Sequence, residues 1–200
     1  MNSIVIIKYN AGNIRSVKNA LERLNVKAEI TADPDKIRNA SKVIFPGVGE
    51  ASTTMSYLRE HGLDKLITSL KQPVLGICLG LQLMCSHSEE NDTECLGIFD
   101  EKVIRFTPHT GEEFITKVPH MGWNAITGLK SGIFSEDIEN EYVYFVHSYY
   151  AGLGKHTAAT CNYINPFSAA LQKNNFYATQ FHPEKSGEIG ARILKNFINL

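Results

Sequence analysis

Four short runs rich in apolar and β-branched residues, SIVIIKY (3–9), KAEIT (27–31), KVIFPGVGE (42–50) and QPVLGI (72–77), constrain the chain more than any other feature. Each is followed by a turn and a segment with helical spacing: IRSVKNALERL (14–24), DPDKIRNA (33–40), ASTTMSYLREHG (51–62) and CLGLQLMCSHSEE (78–90). Asn13 is the expected N-cap of the first helix, and Asp33 or Pro34 starts the second. Mostly apolar strands alternating with amphipathic helices imply parallel strands covered on both faces. The expected fold is therefore α/β, an open doubly wound, mostly parallel sheet. In such sheets the chemistry sits beyond the carboxyl ends of the strands, so NAGN (10–13), PGVG (46–49) and ICLG (77–80) should share one edge.

Beyond residue 95 the pattern changes. EKVIRF (101–106), YVYFVHSYY (142–150), HTAATCNY (156–163), SAALQ (168–172) and FYATQFHPE (176–184) read as strands of a mainly antiparallel extension. Residues 107–132 are poorly periodic and read as loop with a short strand or two, and GEIGARILKNFINL (187–200) reads as a closing helix. No repeat or linker divides the 200 residues, which are expected to form one domain over 1–200.

Twenty basic and 21 acidic side chains nearly cancel, and no cluster of either sign suggests nucleic acid or an anionic membrane as partner. No apolar run approaches the roughly 18 residues of a membrane span, and the start lacks a leader pattern, so a cytoplasmic protein is expected. Cys78, Cys85, Cys95 and Cys161 show no C-x-x-C spacing, which argues against a disulfide framework or zinc knuckle.

Gly76-Ile77-Cys78-Leu79-Gly80 is the cysteine form of the G-x-S-x-G elbow, where a buried strand turns sharply into a helix. Small residues two positions either side keep β-carbons from colliding across the turn. Cys78 would then stand exposed at a helix N-terminus, where backbone N–H groups favour the thiolate. A buried structural cysteine between packing glycines is the alternative, and its position where strand becomes helix favours the nucleophile. Cys85, seven residues on, reads as core.

Of seven histidines only His182 has an evident orienting acid. In QFHPEKS, Glu184 lies two residues further on, and in extended backbone such residues point to the same side. The carboxylate could fix the imidazole tautomer and stabilise the imidazolium. A solvent-bonded histidine at a strand end is the plain alternative, disfavoured by the presence of Cys78. A metal site fits worse, because no compact ligand set is present. Gly47, Val48 and Gly49 could complete an oxyanion hole with the Leu79 amide, or could be an ordinary turn.

The Cys elbow after the fourth strand, Pro-Gly-Val-Gly after the third and a late His-Pro-Glu together resemble the triad-type (class I) glutamine amidotransferases. PHMGWN, VHSYY and HPEKSG make the chain similar to the branch whose glutaminase subunits serve histidine biosynthesis. The resemblance covers essentially the full length. It implies a flavodoxin-like sheet, with Cys78 as nucleophile, His182 as general base, Glu184 as its orienting acid and Gly47 to Gly49 as oxyanion strand. It also implies that Gln82, Glu90, Ser148 and Tyr149 hold the amino-acid end of glutamine, although Tyr149 could equally be sheet packing. No cofactor is implied. Ammonia would pass to a separate (β/α)8-barrel cyclase subunit, with Asn13, Trp123 and Lys185 near the interface, and full turnover would await that partner. Lys8 and Asn10 depart from the Asp and Gly common in the family. A paralogue supplying ammonia for surface sugars shares most of these motifs. A Cys-dependent hydrolase of dienelactone type and a non-catalytic partner protein are the other readings.

Overall fold

A computed structural model describes residues 3–9, 12–108 and 117–200. The first half runs β1 (Ile4–Ile7), α1 (Ile14–Arg23), β2 (Ala28–Thr31), α2 (Pro34–Asn39), β3 (Lys42–Gly47), α3 (Ala51–Glu60), α4 (Leu63–Ser69), β4 (Val74–Cys78) and α5 (Leu79–Met84). The second half runs β5 (His87–Ser88), β6 (Thr93–Glu94), β7 (Lys102–Arg105), β8 (His120–Ala125), β9 (Tyr142–His147), β10 (Tyr149–Ala151), β11 (Thr157–Asn162), β12 (Pro166–Lys173), β13 (Phe176–Thr179) and α6 (Gly187–Asn199).

The main sheet has the order β11-β12-β13-β4-β3-β1-β2. Five neighbouring strands, β13 through β2, are parallel, and β12 and β11 continue antiparallel. The expected doubly wound sheet with an antiparallel extension is thus what forms. Two smaller sheets, β10-β7-β5-β6 and the hairpin β8-β9, flank it.

Burial explains the lack of alternation in the parallel strands. Ile4 and Ile6 enter one apolar core with α1, α6 and the β9 residues Val143 and Phe145, whereas Val5 and Ile7 enter the other with α2 to α5. Because both faces are covered, every position of β1 is buried.

Local departures from the sequence reading have tertiary causes. The helix expected over 78–90 stops at Met84, because the carbonyls of Leu83, Met84 and Cys85 are taken by the amides of Leu96, Phe99 and Gly97. The chain then pairs with β7 instead. The strand expected over 142–150 breaks at Ser148, since β9 is held by β8 while β10 is held by β7. The strand expected to run through 184 ends at Thr179, and Pro183–Lys185 forms a 3-10 turn. The helix α4, which no separate signal in the chain foretells, follows Gly62 in a left-handed conformation. Asn13 occupies the N-cap position of α1 but makes no capping bond, whereas Asp33 caps α2 with two backbone amides.

The elbow glycines are both sterically required, for different reasons. An added Cβ at Gly76 would lie 2.9 Å from Met84 Sδ and 3.0 Å from Gly80 C, which is the expected contact across the turn. One at Gly80 would instead strike the Phe45 carbonyl of β3, a contact the sequence does not reveal. Gly80→Ala is therefore expected to destabilise the fold by about 3 kcal/mol, the upper range for overpacking a core, as measured by urea unfolding; a change below about 0.5 kcal/mol would contradict this packing.

Candidate active site

The carboxyl ends of β1, β3, β4 and β13 carry, in that order, Asn13, Val48 and Gly49, Cys78, and His182. Their convergence follows from strand order, with Gly47 paired to Cys78 and Thr179 to Ile77. A cavity of about 340 Å³ opens there, lined by Val48, Gly49, Cys78, Leu79, Gln82, Glu90, Val146, His147, Ser148, Tyr149 and His182.

Cys78 has φ +54° and ψ −109°, outside the ordinary regions for a side chain-bearing residue, which bears out the strained turn. It is 7% exposed, so it forms part of the cavity wall and is not the exposed thiol expected from sequence. The helix behind it has only six residues, which limits the dipole behind the sulfur to little more than local N–H groups. Gln180 Nε2 lies 3.8 Å from Cys78 Sγ, and the Val146 carbonyl 3.9 Å. Burial pushes the Cys85 thiol well above its ordinary range, Cys95 to about 11 and Cys161 to about 12. Those three sulfurs stay protonated at neutral pH, and for Cys85 this agrees with its expected place in the core.

His182 and Glu184 meet as predicted, but through the 3-10 turn. His182 Nδ1 donates to Glu184 Oε1 at 2.8 Å, and both side chains are fully enclosed. The His182 amide bonds to the Tyr144 carbonyl and its own carbonyl accepts from Ser186 Oγ, anchoring the turn to β9 and α6. The free ring nitrogen, Nε2, makes no formed hydrogen bond, yet Cys78 is close enough to act on its charge. Desolvation lowers the imidazole's pKa, but the nearby Cys78 sulfur and the Glu184 carboxylate bonded to Nδ1 outweigh it and raise His182 to about 10. Such a ring is protonated at neutral pH and able to donate a proton.

The other predicted positions divide. Val48 and Gly49 line the cavity beside Leu79. Gly47 lies one step behind, inside β3, where an added Cβ would be 2.7 Å from Tyr9 Oη and 2.9 Å from the Gly80 amide nitrogen. Gln82 is buried and donates to the Tyr149 carbonyl at 2.8 Å and to Gln180 Oε1 at 3.1 Å. Glu90 accepts from the Ala51 amide at 2.8 Å, and partial burial raises its pKa. Ser148 and Tyr149 border the opening. Trp123 and Lys185 lie apart from this cavity, both exposed and both against Tyr144, with Trp123 at 6.0 Å between ring centroids and Lys185 Nζ 5.9 Å above the ring. Asn13 is 6% exposed and donates to Glu184 Oε1, so it is not on an open partner-facing surface. Lys8 is exposed, and Asn10 lies outside the described residues.

Three site residues escaped sequence reasoning. Gln180 stands two residues before His182, a spacing that marks one side of an extended segment and could have drawn attention to it. Tyr9 donates to the Pro46 carbonyl, and no periodic signal distinguishes it. His147 lies at the cavity wall, and its Nδ1 donates to the Tyr149 carbonyl at 2.8 Å while Nε2 meets His120 Nδ1 at 3.1 Å. Burial holds His147 near 3 and His120 near 4, so both rings are neutral.

Among the described residues there is no cluster of three or more His, Cys, Asp or Glu fit to hold a metal, and no helix long and apolar enough to cross a membrane.

The family model described as glutamine amidotransferase class-I matches residues 5–200. The chain belongs to the class-I glutamine amidotransferases. It is 62% identical over 197 residues to the imidazole glycerol phosphate synthase subunit HisH of Bacteroides fragilis (strain YCH46), covering 98% of this chain and 99% of that one. It is 44% identical to the subunit of the same name from Escherichia coli (strain K12), covering 99% and 100%. Among solved structures, a glutamine amidotransferase matches with a TM-score of 0.72 at 19% identity, over 98% of this chain and 97% of that one. PurLQS from Thermotoga maritima matches with a TM-score of 0.70 at 14% identity, over 100% and 99%. At such identities these two speak for the fold alone.

The neutral histidine pair sets an acid limit. Both folded pKa values lie below the unfolded value near 6.5, so below that pH the unfolded chain binds more protons and stability falls. His182, already charged there, does not oppose the trend. The urea midpoint is expected to drop between pH 7 and pH 5 by the equivalent of about 2–4 kcal/mol; an unchanged midpoint would contradict neutral burial of the pair.

Proposed function

We propose that this chain is the glutaminase subunit of an imidazole glycerol phosphate synthase, hydrolysing glutamine to glutamate and ammonia for histidine biosynthesis. The observation that carries this reading is the meeting of Cys78 and His182 at one cavity, with Glu184 bonded to the imidazole from behind, in a chain 62% identical to a subunit of that name.

In this reading the Cys78 thiolate attacks the carboxamide carbon of glutamine, and the carbonyl π pair moves to oxygen. The oxyanion is received by the amide of Leu79 and those of Val48 or Gly49. Collapse breaks the C–N bond as His182 delivers its proton to nitrogen, releasing ammonia and leaving a γ-glutamyl thioester. Water, deprotonated by His182, attacks the thioester, and glutamate departs as the thiolate reforms. Glu184 holds Nδ1–H throughout, keeping Nε2 toward the sulfur. Gln82, Glu90, Ser148 and Tyr149, which line the cavity, would hold the substrate's ammonium and carboxylate groups.

The name of the relatives implies a partner subunit. The proposed partner is a (β/α)8-barrel cyclase that combines the ammonia with its nucleotide substrate to give imidazole glycerol phosphate and aminoimidazole carboxamide ribotide. Trp123 and Lys185, exposed around Tyr144, are the proposed contacts. The whole chain would act as one amidotransferase domain in the cytoplasm, without a cofactor. The hydrolase of dienelactone type fits less well, since its acid would stand well upstream of the histidine, whereas Glu184 follows His182 at once. The surface-sugar role has no observation in its favour.

Cys78→Ala is expected to lower glutamine turnover to background, on the order of 10⁴-fold or more, while the variant still binds the barrel subunit. Turnover surviving the substitution would remove Cys78 from its role. Gly49, at φ +127° with open space where a Cβ would point, leaves the oxyanion strand room to rotate a peptide. The isolated chain is thus expected to be a slow glutaminase that accelerates at least about tenfold when the oxyanion donor is set by the nucleotide-loaded partner. An equal rate in a steady-state ammonia assay with and without that partner would contradict this coupling.

A further inference from the structure

Of the polar side chains around the cavity, Asn13 has the least expected placement. It stands where a helix cap should be, yet its side chain leaves the helix end uncapped and turns to the buried acid. It is 6% exposed and comes from the far end of the sequence, 171 residues from Glu184. An asparagine at an N-cap ordinarily bonds the backbone of its own helix. Here that bond is given up, and the donor meets a carboxylate instead.

We propose that Asn13 is a positioning residue for glutamine hydrolysis, which holds the Glu184 carboxylate by a second hydrogen bond and thereby sets the orientation and acidity of His182. The inference rests on the reading of Cys78, His182 and Glu184 as nucleophile, acid–base and orienting acid.

Oxygen Oε1 of Glu184 is shared. It accepts from His182 Nδ1 at 2.8 Å and also from Asn13 Nδ2. Asn13 Nδ2 approaches His182 Nδ1 at 3.3 Å, but both atoms carry hydrogen when the ring serves Glu184, so that contact is not a bond. Among the described residues Oε2 has no partner, and it has no access to solvent. The carboxylate is therefore located by two donors at one oxygen, from α1 and from the turn after β13, with nothing fixing the other end. Removing Asn13 leaves only the histidine to define its rotation.

The electrostatic consequence has a definite sign. A donor at Oε1 draws on the charge that otherwise stabilises the imidazolium, so Asn13 makes His182 a stronger acid than the Glu184 pair alone would. Two geometric effects compete when it is lost. The carboxylate could swing away, or it could bind the ring more fully. The second wins, because Oε2 has no partner among the described residues and the His182 ring lies against the same enclosed carboxylate. The remaining charged and titratable neighbours of His182 are few. Cys78 faces it from β4, His147 from β9, and Lys185 follows in the same turn with its side chain exposed. Arg23 of α1 reaches only the Glu184 carbonyl, at 3.4 Å. His147 stays neutral through the working range, being held near 3.

The test is the pH profile of glutamine turnover by the full chain, with kcat and KM measured separately, for Asn13→Ala and the isosteric Asn13→Asp. Asn13→Ala is expected to lower kcat roughly tenfold, a part of the 10²–10⁴ that general acid–base catalysis supplies, while KM stays within about twofold. The alkaline limb should move up by about half a pH unit, the effect of one modest hydrogen bond. Asn13→Asp, which replaces the donor by a second carboxylate, should move it further up. If Asn13→Ala fails to fold, the Asp variant decides by its limb alone. A fall in kcat with the limb unmoved, or a loss of melting temperature and activity together without a shift, would make Asn13 merely structural and overturn the proposal. Cys78→Ala run in parallel separates the two layers: turnover surviving there defeats the triad reading itself, whereas an inactive Cys78→Ala with an unshifted Asn13 series defeats only the inference about Asn13.

Discussion

The close seating of α5 against β3 and β4 is the contact on which the rest of the site depends. Cys78 can hold φ +54° only because the chain on either side is locked. Before it, β4 is bonded on one flank to β3 and on the other to β13. After it, Gly80 lies so close to the Phe45 carbonyl that no side chain fits. Strain of order 1–3 kcal/mol at one residue is sustained by two sheet ladders and a packed helix. Any loosening here would let the sulfur relax into ordinary backbone geometry and away from the imidazole.

The same sheet order brings the remaining groups in. Because β4 is flanked by β3 and β13, the loop after β3 and the turn after β13 end on opposite sides of the sulfur. The first carries Val48 and Gly49, the second His182 and Glu184. The β9 strand then closes one side, since the His182 amide is fixed to the Tyr144 carbonyl and the Tyr144 amide to Ser186 Oγ. Tyr144 thus joins the proposed partner contacts at Trp123 and Lys185 to the backbone of the proposed acid–base residue through a single hydrogen bond. His147, on the same strand, borders the cavity as a neutral ring whose partners are a carbonyl and another neutral histidine.

Much of this was legible in the chain itself. The β1 and β3 runs are apolar because both sheet faces are covered, and their pattern sufficed to give the parallel sheet and the edge where its loops gather. Cys78 was recognisable from Gly76 and Gly80, and His182 from Glu184, because each depends on neighbours within a few residues. Failures occurred where a distant segment supplied the deciding hydrogen bonds. Helix α5 should have continued by its own periodicity, but amides from 96–99 took its last carbonyls. His182 and Glu184 meet as foreseen although the backbone between them turns as a 3-10 helix, so the conclusion survived a wrong geometric premise.

The sequence by itself determined the class of sheet, the choice of Cys78 and His182 as the proposed thiol and imidazole, and the need for glycine around the elbow, since these follow from periodicity, spacing and steric size. Only the tertiary structure decided that Cys78 is enclosed, that Gly80 is dictated by β3, and that Asn13 serves Glu184 instead of its own helix. Each of those depends on groups dozens to well over a hundred residues apart being pressed together in a low-dielectric interior. There an unmet donor or a misplaced methyl costs more than any local preference can supply.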